Sequence, residues 1–484
     1  MKRKEWLFLL FLTFAALLIH GYHPWAEDAE IYLPGAEKLL DPHLFPFNTQ
    51  FFESHGNSTL FPQLIADSVR LSHLPLAAVL FGWHLLSIFL FLLACHQLAA
   101  RCFASSAARW GGVTLVAALL TIPIAGTALY ILDQYVNPRN LSAVLAIFAI
   151  VKTLDKKYIR AGLLLIVTAA IHPLMSAFAI FYCLLLIATR GFDARLITLA
   201  ALFPFGLTLD PPPKPYHLVA LIHPFHYITR WHWYEWLGAV APIAILWWFS
   251  RVARAKGLQN LALLCRTLVI YEAICLPPAV VLSSFARLEA LARLQPMRSL
   301  FLLYILMFLF AGGLLGEYVL RERVWRWLLL FAPLSAGMFV AQLALFPASA
   351  HVEWPWAAQK NPWAQAFDWV RQNTPRDAIF ALDPDHMNLP DEDEQGFRAI
   401  AQRSRLADNV KDAGATSMFP AMADEWYRQV QAQSGWKSFQ ALDFDRLQEA
   451  YGVSWVVLQQ PGAAGLDCPY RNQAVLVCRV PENF

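Results

Sequence analysis

The chain has 484 residues, of which 58% are hydrophobic and 15% charged, against roughly 45–50% and about 25% in an average soluble protein. That composition excludes a soluble globule, a disordered chain and a coiled coil, and leaves a polytopic α-helical membrane protein. The net charge of +3 conceals a split, because residues 351–484 hold 12 Lys/Arg and 18 Asp/Glu while the preceding residues carry the basic excess. That excess does not imply nucleic acid, since Lys and Arg at the cytoplasmic ends of spans give the same sum.

A spanning helix needs about 20 apolar residues, and shorter ones fit inside a bundle. In chain order, long apolar runs predict spans at residues 6–21, 76–99, 110–132, 258–284, 299–320 and 325–346. Shorter runs predict crossings at 141–151, 196–209 and 237–250. The first run follows Lys2-Arg3-Lys4, as the core of a signal peptide also would. It continues into Tyr22-His23-Pro24-Trp25 without a small-residue cleavage site, so an uncleaved first span is expected. Residues 161–189 are apolar throughout but interrupted by His172-Pro173. Proline removes a helix hydrogen bond and disfavours helix at the residue before it, so two short helices turning at that point are expected. Charge favours the turn. With Lys2-Arg3-Lys4 inside and strict alternation, it places 17 Lys/Arg in short cytoplasmic loops and 8 on the far side before the tail, in line with the positive-inside bias.

The prediction is therefore about 11 membrane segments in the inner membrane, with a cytoplasmic N-terminus. Residues 1–349 form the membrane domain, with a first exported loop at 22–75. Residues 350–484 form a small soluble α/β domain on the periplasmic side. In that tail, helices are predicted at 363–374, 396–402 and 423–433, and strands at 378–382, 405–408, 453–458 and 474–480. Cys468 and Cys478 lie ten positions apart across a predicted hairpin, and an oxidising compartment permits a disulfide there. The other five cysteines lie in or near spans, where Cys behaves as a small hydrophobe.

The chemistry-bearing candidates begin at Glu27-Asp28, two adjacent carboxylates directly after the first span. Low dielectric and neighbouring acids raise a carboxyl pKa, which suits a general base; a solvated helix start explains the same pair, because acids favour helix N-termini. Arg139 and Arg298 each open a span on the exported side, and arginine gives bidentate phosphate contacts. His172 sits at the apex of the broken segment, and an ionisable group at membrane depth faces a cavity or a partner. The run 217–236, rich in His, Trp and Tyr, reads as a helix lying in the interface rather than a zinc site. The acidic run Asp391-Glu392-Asp393-Glu394 reads as a solvated loop. No metal site is expected from ligand spacing.

Glu27-Asp28 after the first span resembles the acidic motif of the GT-C superfamily of glycosyltransferases, which includes oligosaccharyltransferases, protein O-mannosyltransferases and aminoarabinose transferases. The segment beginning Tyr32-Leu33-Pro34-Gly35, the strings Tyr135-Val136-Asn137-Pro138-Arg139, Ile171-His172-Pro173 and Gln295-Pro296-Met297-Arg298, and the tail strings Gln402-Arg403-Ser404 and Glu425-Trp426-Tyr427 are similar to a group of uncharacterised bacterial GT-C-like membrane proteins. The Trp-Trp-Asp tripeptide of oligosaccharyltransferases is missing, so peptide asparagine is not the expected acceptor.

The resemblance implies an enzyme that takes a sugar from a polyprenyl-phosphate-linked donor entering from the membrane lipid. Asp28 would deprotonate an acceptor hydroxyl on an envelope glycan or lipid, with inversion at the sugar. Glu27 would orient the acceptor or bind a cation. Arg139, Arg298 and His172 would hold the donor phosphate, and a divalent cation (Mg or Mn) has room in the scheme. Asp133, Tyr135, Lys38, His55 and Arg230 complete the set as acceptor or pocket candidates. A transporter or flippase, which also uses broken helices and buried ionisable groups, and a non-catalytic envelope scaffold are the competing readings.

Overall fold

The computed structural model describes residues 2–190, 213–285 and 288–481; the crossing expected at 196–209 lies outside them. Among the described residues five helices are long and apolar enough to cross a membrane: Leu76–Cys102, Trp233–Ala255, Gln259–Ser284, Pro296–Leu320 and Val324–Leu345. Val324–Leu345 leaves most of its apolar side chains exposed, Leu328, Leu329 and Val340 among them, as a helix surrounded by lipid does. Shorter apolar helices run over Tyr158–Ile171 and Pro173–Ala188. The chain divides into two compact units, each assembled from three segments. The first comprises Met1–Gly21, Gly82–Pro211 and Pro224–Gln342; the second comprises Tyr22–Phe81, Pro212–His223 and Leu343–Phe484.

In the first unit the helix breaks at His172, whose backbone is extended (φ −150°, ψ 91°) between Tyr158–Ile171 and Pro173–Ala188. The two helices fold back on each other along Pro138–Leu154. At one end Met175 and Ser142 line the same cavity. At the other, Arg190 donates to the carbonyls of Thr153 and Leu154, 3.0 Å each. Further contacts gather at that second end. Arg101 pairs with both carboxylate oxygens of Asp155 (3.0 and 2.8 Å), and Asn260 donates to the Arg101 carbonyl. Basic residues near four helix ends thus share one end of the bundle.

The run expected to cross at 110–132 is not one helix. Helix occupies only Ser106–Ala118. The following residues turn back through a single bridge between Pro123 and Tyr130. Thr121, Ile122 and Ile124 are β-branched, Pro123 lacks an amide proton and Gly126 is flexible, so helix ends there despite the apolar composition. Irregular backbone is tolerated at such a place when protein surrounds it and its polar groups are paired. Ile124 N–H donates to Leu129 O and Leu132 N–H to Leu120 O, both at 2.8 Å.

Ser106–Ala118 packs on Ser299–Leu315 and the turn of π-helix that follows, Gly316–Leu320. Glycines face one another across this seam. A methyl group placed on Gly111 would clash with the Gly312 carbonyl, one on Gly312 with the Gly111 carbonyl, and one on Gly316 with the Ala107 carbonyl. Small residues on facing helices allow backbones to approach closely where lipid removes any hydrophobic drive for association.

The second unit contains a five-stranded sheet: β1 (Ile379–Leu382), β2 (Ser404–Arg405), β3 (Val453–Gln459), β4 (Asp467–Arg471) and β5 (Val475–Arg479). The order is β2-β1-β3-β5-β4. β1 runs parallel to β2 and β3, whereas β5 runs antiparallel to β3 and β4. Alternate side chains serve two cores. Phe380, Leu382, Trp455, Val457, Val475 and Val477 pack with Trp363, Phe367 and Val370 of helix Pro362–Asn373. Ala381, Val456, Leu458, Leu476 and Cys478 pack on the other face with Phe444 and Leu447 of helix Ala441–Tyr451. Cys468 and Cys478 form a disulfide that ties β4 to β5. The first long loop contributes helices Ala29–Leu40, Gln50–Gly56 and Phe61–Ser72 to this unit.

Candidate functional site

Within the second unit, residues 25–27 lie alongside 394–396. Gly396 N–H donates to Trp25 O (2.8 Å), Glu27 N–H donates to Glu394 O (2.9 Å), and Ala26 bridges Gln395. Gly396 permits this close approach: a methyl group there would lie 3.0 Å from both the Trp25 carbonyl and Glu30 Oε2, tighter than ordinary contact. Glu27 takes a left-handed backbone (φ 58°), sparsely populated by residues with a Cβ. Asp28 then opens helix Ala29–Leu40.

Each acid of this segment meets a cation. Lys411 Nζ contacts Glu27 Oε2 and lies 3.2 Å from Asp28 Oδ1. Glu30, fully buried, accepts the Arg398 backbone N–H on Oε2 (2.7 Å) and Arg398 Nη1 on Oε1 (3.2 Å). Arg398 also forms a two-pronged pair with Asp412 (2.9 and 2.8 Å). Asp408 Oδ1 accepts three backbone N–H groups, from Val410, Lys411 and Asp412, at 2.6–2.9 Å. That fixes the start of helix Lys411–Met418. Arg405, also buried, lies beside His386 and 3.5 Å from Asp408 Oδ2.

The electrostatics follow. Partial burial would raise Glu27, but the Lys411 ammonium and a hydrogen bond shared with Glu394 outweigh it and hold this carboxyl below its ordinary value. Burial and the Glu27 charge push Glu394 well above it. Burial raises Glu30 to about 7 against the pull of Arg398 and Arg405. Burial alone would lower Lys411, yet Glu27, Asp28 and Glu394 together raise it. At neutral pH the ammonium is therefore secure and Glu27 is ionised, while Glu394 is shifted toward its protonated form. The run 391–394 is not the solvated loop expected: Glu392 is fully buried, Asp393 accepts the Ala348 N–H, and Glu394 faces Glu27.

Two further candidates belong to the packing of the first loop. Lys38 pairs with Glu53 at 3.0 Å, and His55 packs edge-on against Tyr32 and Phe419. The histidine-rich stretch is not a single interfacial helix. It breaks into Tyr216–Ile222, two short 3-10 turns and the start of Trp233–Ala255, with Pro224 after the first piece. His223 and His226 are both buried.

In the first unit, Asp133 Oδ2 accepts Arg139 Nε (3.1 Å), Arg139 Nη2 (2.8 Å) and Asn137 Nδ2 (2.7 Å). Asn137 caps helix Pro138–Leu154, and Asn140 donates to the Tyr135 carbonyl. Asp133, Tyr135 and Arg139 are thus brought together, with the guanidinium already engaged by a carboxylate. Arg298 instead borders a slot with apolar walls from three helices, including Ala143, Met175, Phe178 and Phe301. His172 accepts the Met175 N–H on Nδ1 (3.4 Å), so it caps the helix whose first turn lines that slot. Arg230 is exposed and stacks its guanidinium over the Tyr227 ring at 4.7 Å.

Sequence reasoning singled out neither Lys411 nor Glu272. Glu272 is fully buried within Gln259–Ser284 and accepts Ser299 Oγ at 3.0 Å, directly after Arg298 in the chain. A carboxylate inside a span is itself the signal. Among the described residues no group of three or more His, Cys, Asp or Glu side chains is set to hold a metal ion.

A family model described as a domain of unknown function, DUF6798, matches residues 361–432. This stretch holds Arg398, Arg405, Asp408, Lys411 and Asp412. No curated protein matches the chain.

Proposed function

We propose that the chain is a GT-C-like glycosyltransferase of the inner membrane that moves a sugar from a polyprenyl-phosphate donor to a hydroxyl of an envelope glycan or lipid. It would act on the exported face, with about 11 membrane segments, a cytoplasmic N-terminus and the sheet domain outside. The observation that carries the reading is the slot headed by Arg298. Its walls are apolar, as contact with part of an isoprenoid chain requires, and a guanidinium at its border suits the phosphate. Clustering of basic residues at one end of the first unit supports the orientation.

In this proposal Arg298 serves the donor phosphate and Asp28 supplies acid–base chemistry. Asp28 takes the proton of the acceptor hydroxyl. The freed oxygen forms a bond to the anomeric carbon from the face opposite the phosphate. The carbon–oxygen bond to phosphate breaks, its electron pair stays with the phosphate oxygen, and Arg298 stabilises that charge.

The full chain reconstituted in lipid and supplied with labelled polyprenyl-phosphate sugars and an envelope extract tests this directly. Asp28→Asn should abolish transfer while the protein accumulates normally; retained transfer excludes Asp28 as the base. The buried Glu272 favours a second reading, a transporter or flippase, since carboxylates inside spans mark ion and substrate paths. Movement of a lipid-linked sugar across vesicles without transfer, lost in Glu272→Gln, would select that reading.

A further inference from the structure

The acids of the first loop and the cations that hold them lie at opposite ends of the chain, within one compact unit. Glu27 and Asp28 share Lys411, and Glu30 is gripped by Arg398. Both cations lie inside the stretch matched by the domain of unknown function. We propose that this stretch is the holder of the first-loop acids, and that Lys411 is a positioning residue fixing the orientation and charge of Asp28; the second half of the inference rests on the glycosyltransferase reading.

Three observations carry it. First, the position of Lys411 is built. Asp408 binds the backbone N–H of Lys411 and of both its neighbours, and Asp412, the next residue, is locked to the buried Arg398. The lysine therefore projects from a fixed turn rather than a free surface. Second, its surroundings are more acidic than one ammonium neutralises: Glu27, Asp28 and Glu394 all act on it, while His223 and Asp408 lie close by. A contact serving stability alone is met as well by apolar packing. Third, the held segment is strained at Glu27, whose left-handed backbone is kept in place by the bond to Glu394 O. Strain of this kind persists where the surroundings over-determine a geometry, and such places cluster at functional sites.

The full chain in lipid provides the test. Lys411→Met should lower sugar transfer by about 100-fold, the scale expected when a reacting group loses its placement, with accumulation and melting behaviour kept. Lys411→Arg, which restores the charge, should recover most of the loss. Should Lys411→Met fail to accumulate, Lys411→Gln is read in the same way. Transfer at the original rate in the uncharged variant overturns the positioning role, as does failure of the arginine variant to recover activity.

If the original chain transfers no sugar, the glycosyltransferase reading falls and a measurement without turnover still decides the holder. Carbodiimide-driven coupling of glycine ethyl ester, read by mass spectrometry, should spare Glu27 and Asp28 in the original chain and modify them in Lys411→Met. Equal modification of both chains overturns the holder.

Discussion

The two units are held together by opposite means. Along the seam of the first, side chains are missing: Gly111, Gly312 and Gly316 let two helices touch backbone to backbone. At the heart of the second, side chains are long and charged: Arg398 and Arg405 lie fully buried among Glu30, Asp408 and Asp412. In lipid, helices gain little from burying apolar surface against each other, so fit and close approach carry the association. In the sheet unit, apolar burial is available from the two faces of the sheet, and buried charge then fixes which segments meet. The contrast teaches that the second unit has a specific point of failure, whereas the first fails through shape.

The sharpest way to break that contrast is Arg398→Ala. It leaves Glu30 and Asp412 buried without their partner, and removing one member of a buried pair costs about 3–5 kcal/mol. Melting of the full chain in detergent should drop by a corresponding margin, and an unchanged melting curve would show the network to be incidental. Next in size, Gly312→Ala should cost about 1–3 kcal/mol through overpacking, because the added methyl would run into the Gly111 carbonyl, the Gly112 backbone and Leu115 Cβ. Gly337→Ala, in a helix with nothing within 4 Å of the new methyl, should be neutral or gain up to about 1 kcal/mol. Equal effects of the two substitutions would remove the seam from the account.

The smallest effect is in pH. Glu30 is raised from 4.5 to about 7 and Glu394 is raised as well. Both bind their proton more tightly folded than unfolded, so the stability they contribute is complete at low pH. For Glu30 it is lost as pH climbs from 4.5 through about 7. The lowered Glu27 acts the other way, with its contribution lost as pH falls through its depressed folded-state value. Melting temperature should therefore decline between about pH 5 and about pH 8, and Glu30→Gln should flatten the slope. A slope unchanged in that variant would assign the dependence elsewhere.

Local features were legible in the sequence. Pro173 announced the break at His172, and the β-branched content of residues 453–458 announced a strand, which the structure places at Val453–Gln459. The stretch from Thr121 to Gly126 shows the limit of composition: its residues are apolar enough for a span, yet Pro123 and the β-branched neighbours deny the helix. The acidic segment was visible but its partners were not. Glu30 and Arg398 are 368 positions apart, and no local pattern says which arginine of the tail will turn inward. The run 391–394 misled for the same reason, since four acids read as solvated until Glu27 and Ala348 are seen against them.

That separation also has a consequence in time. The ribosome makes Glu30 long before Arg398, and at about 5–20 residues per second the interval is on the order of 20–70 s. Throughout it the first loop exists without the residues that will enclose it, its carboxylates hydrated and its helices short of their packing partners. The second unit therefore cannot close before Arg398 and Lys411 have been made. Any premature stop before residue 412 leaves behind a membrane-tethered loop open to proteases. Newly made chains should pass through a protease-sensitive stage that ends only when the final segment folds back onto the first.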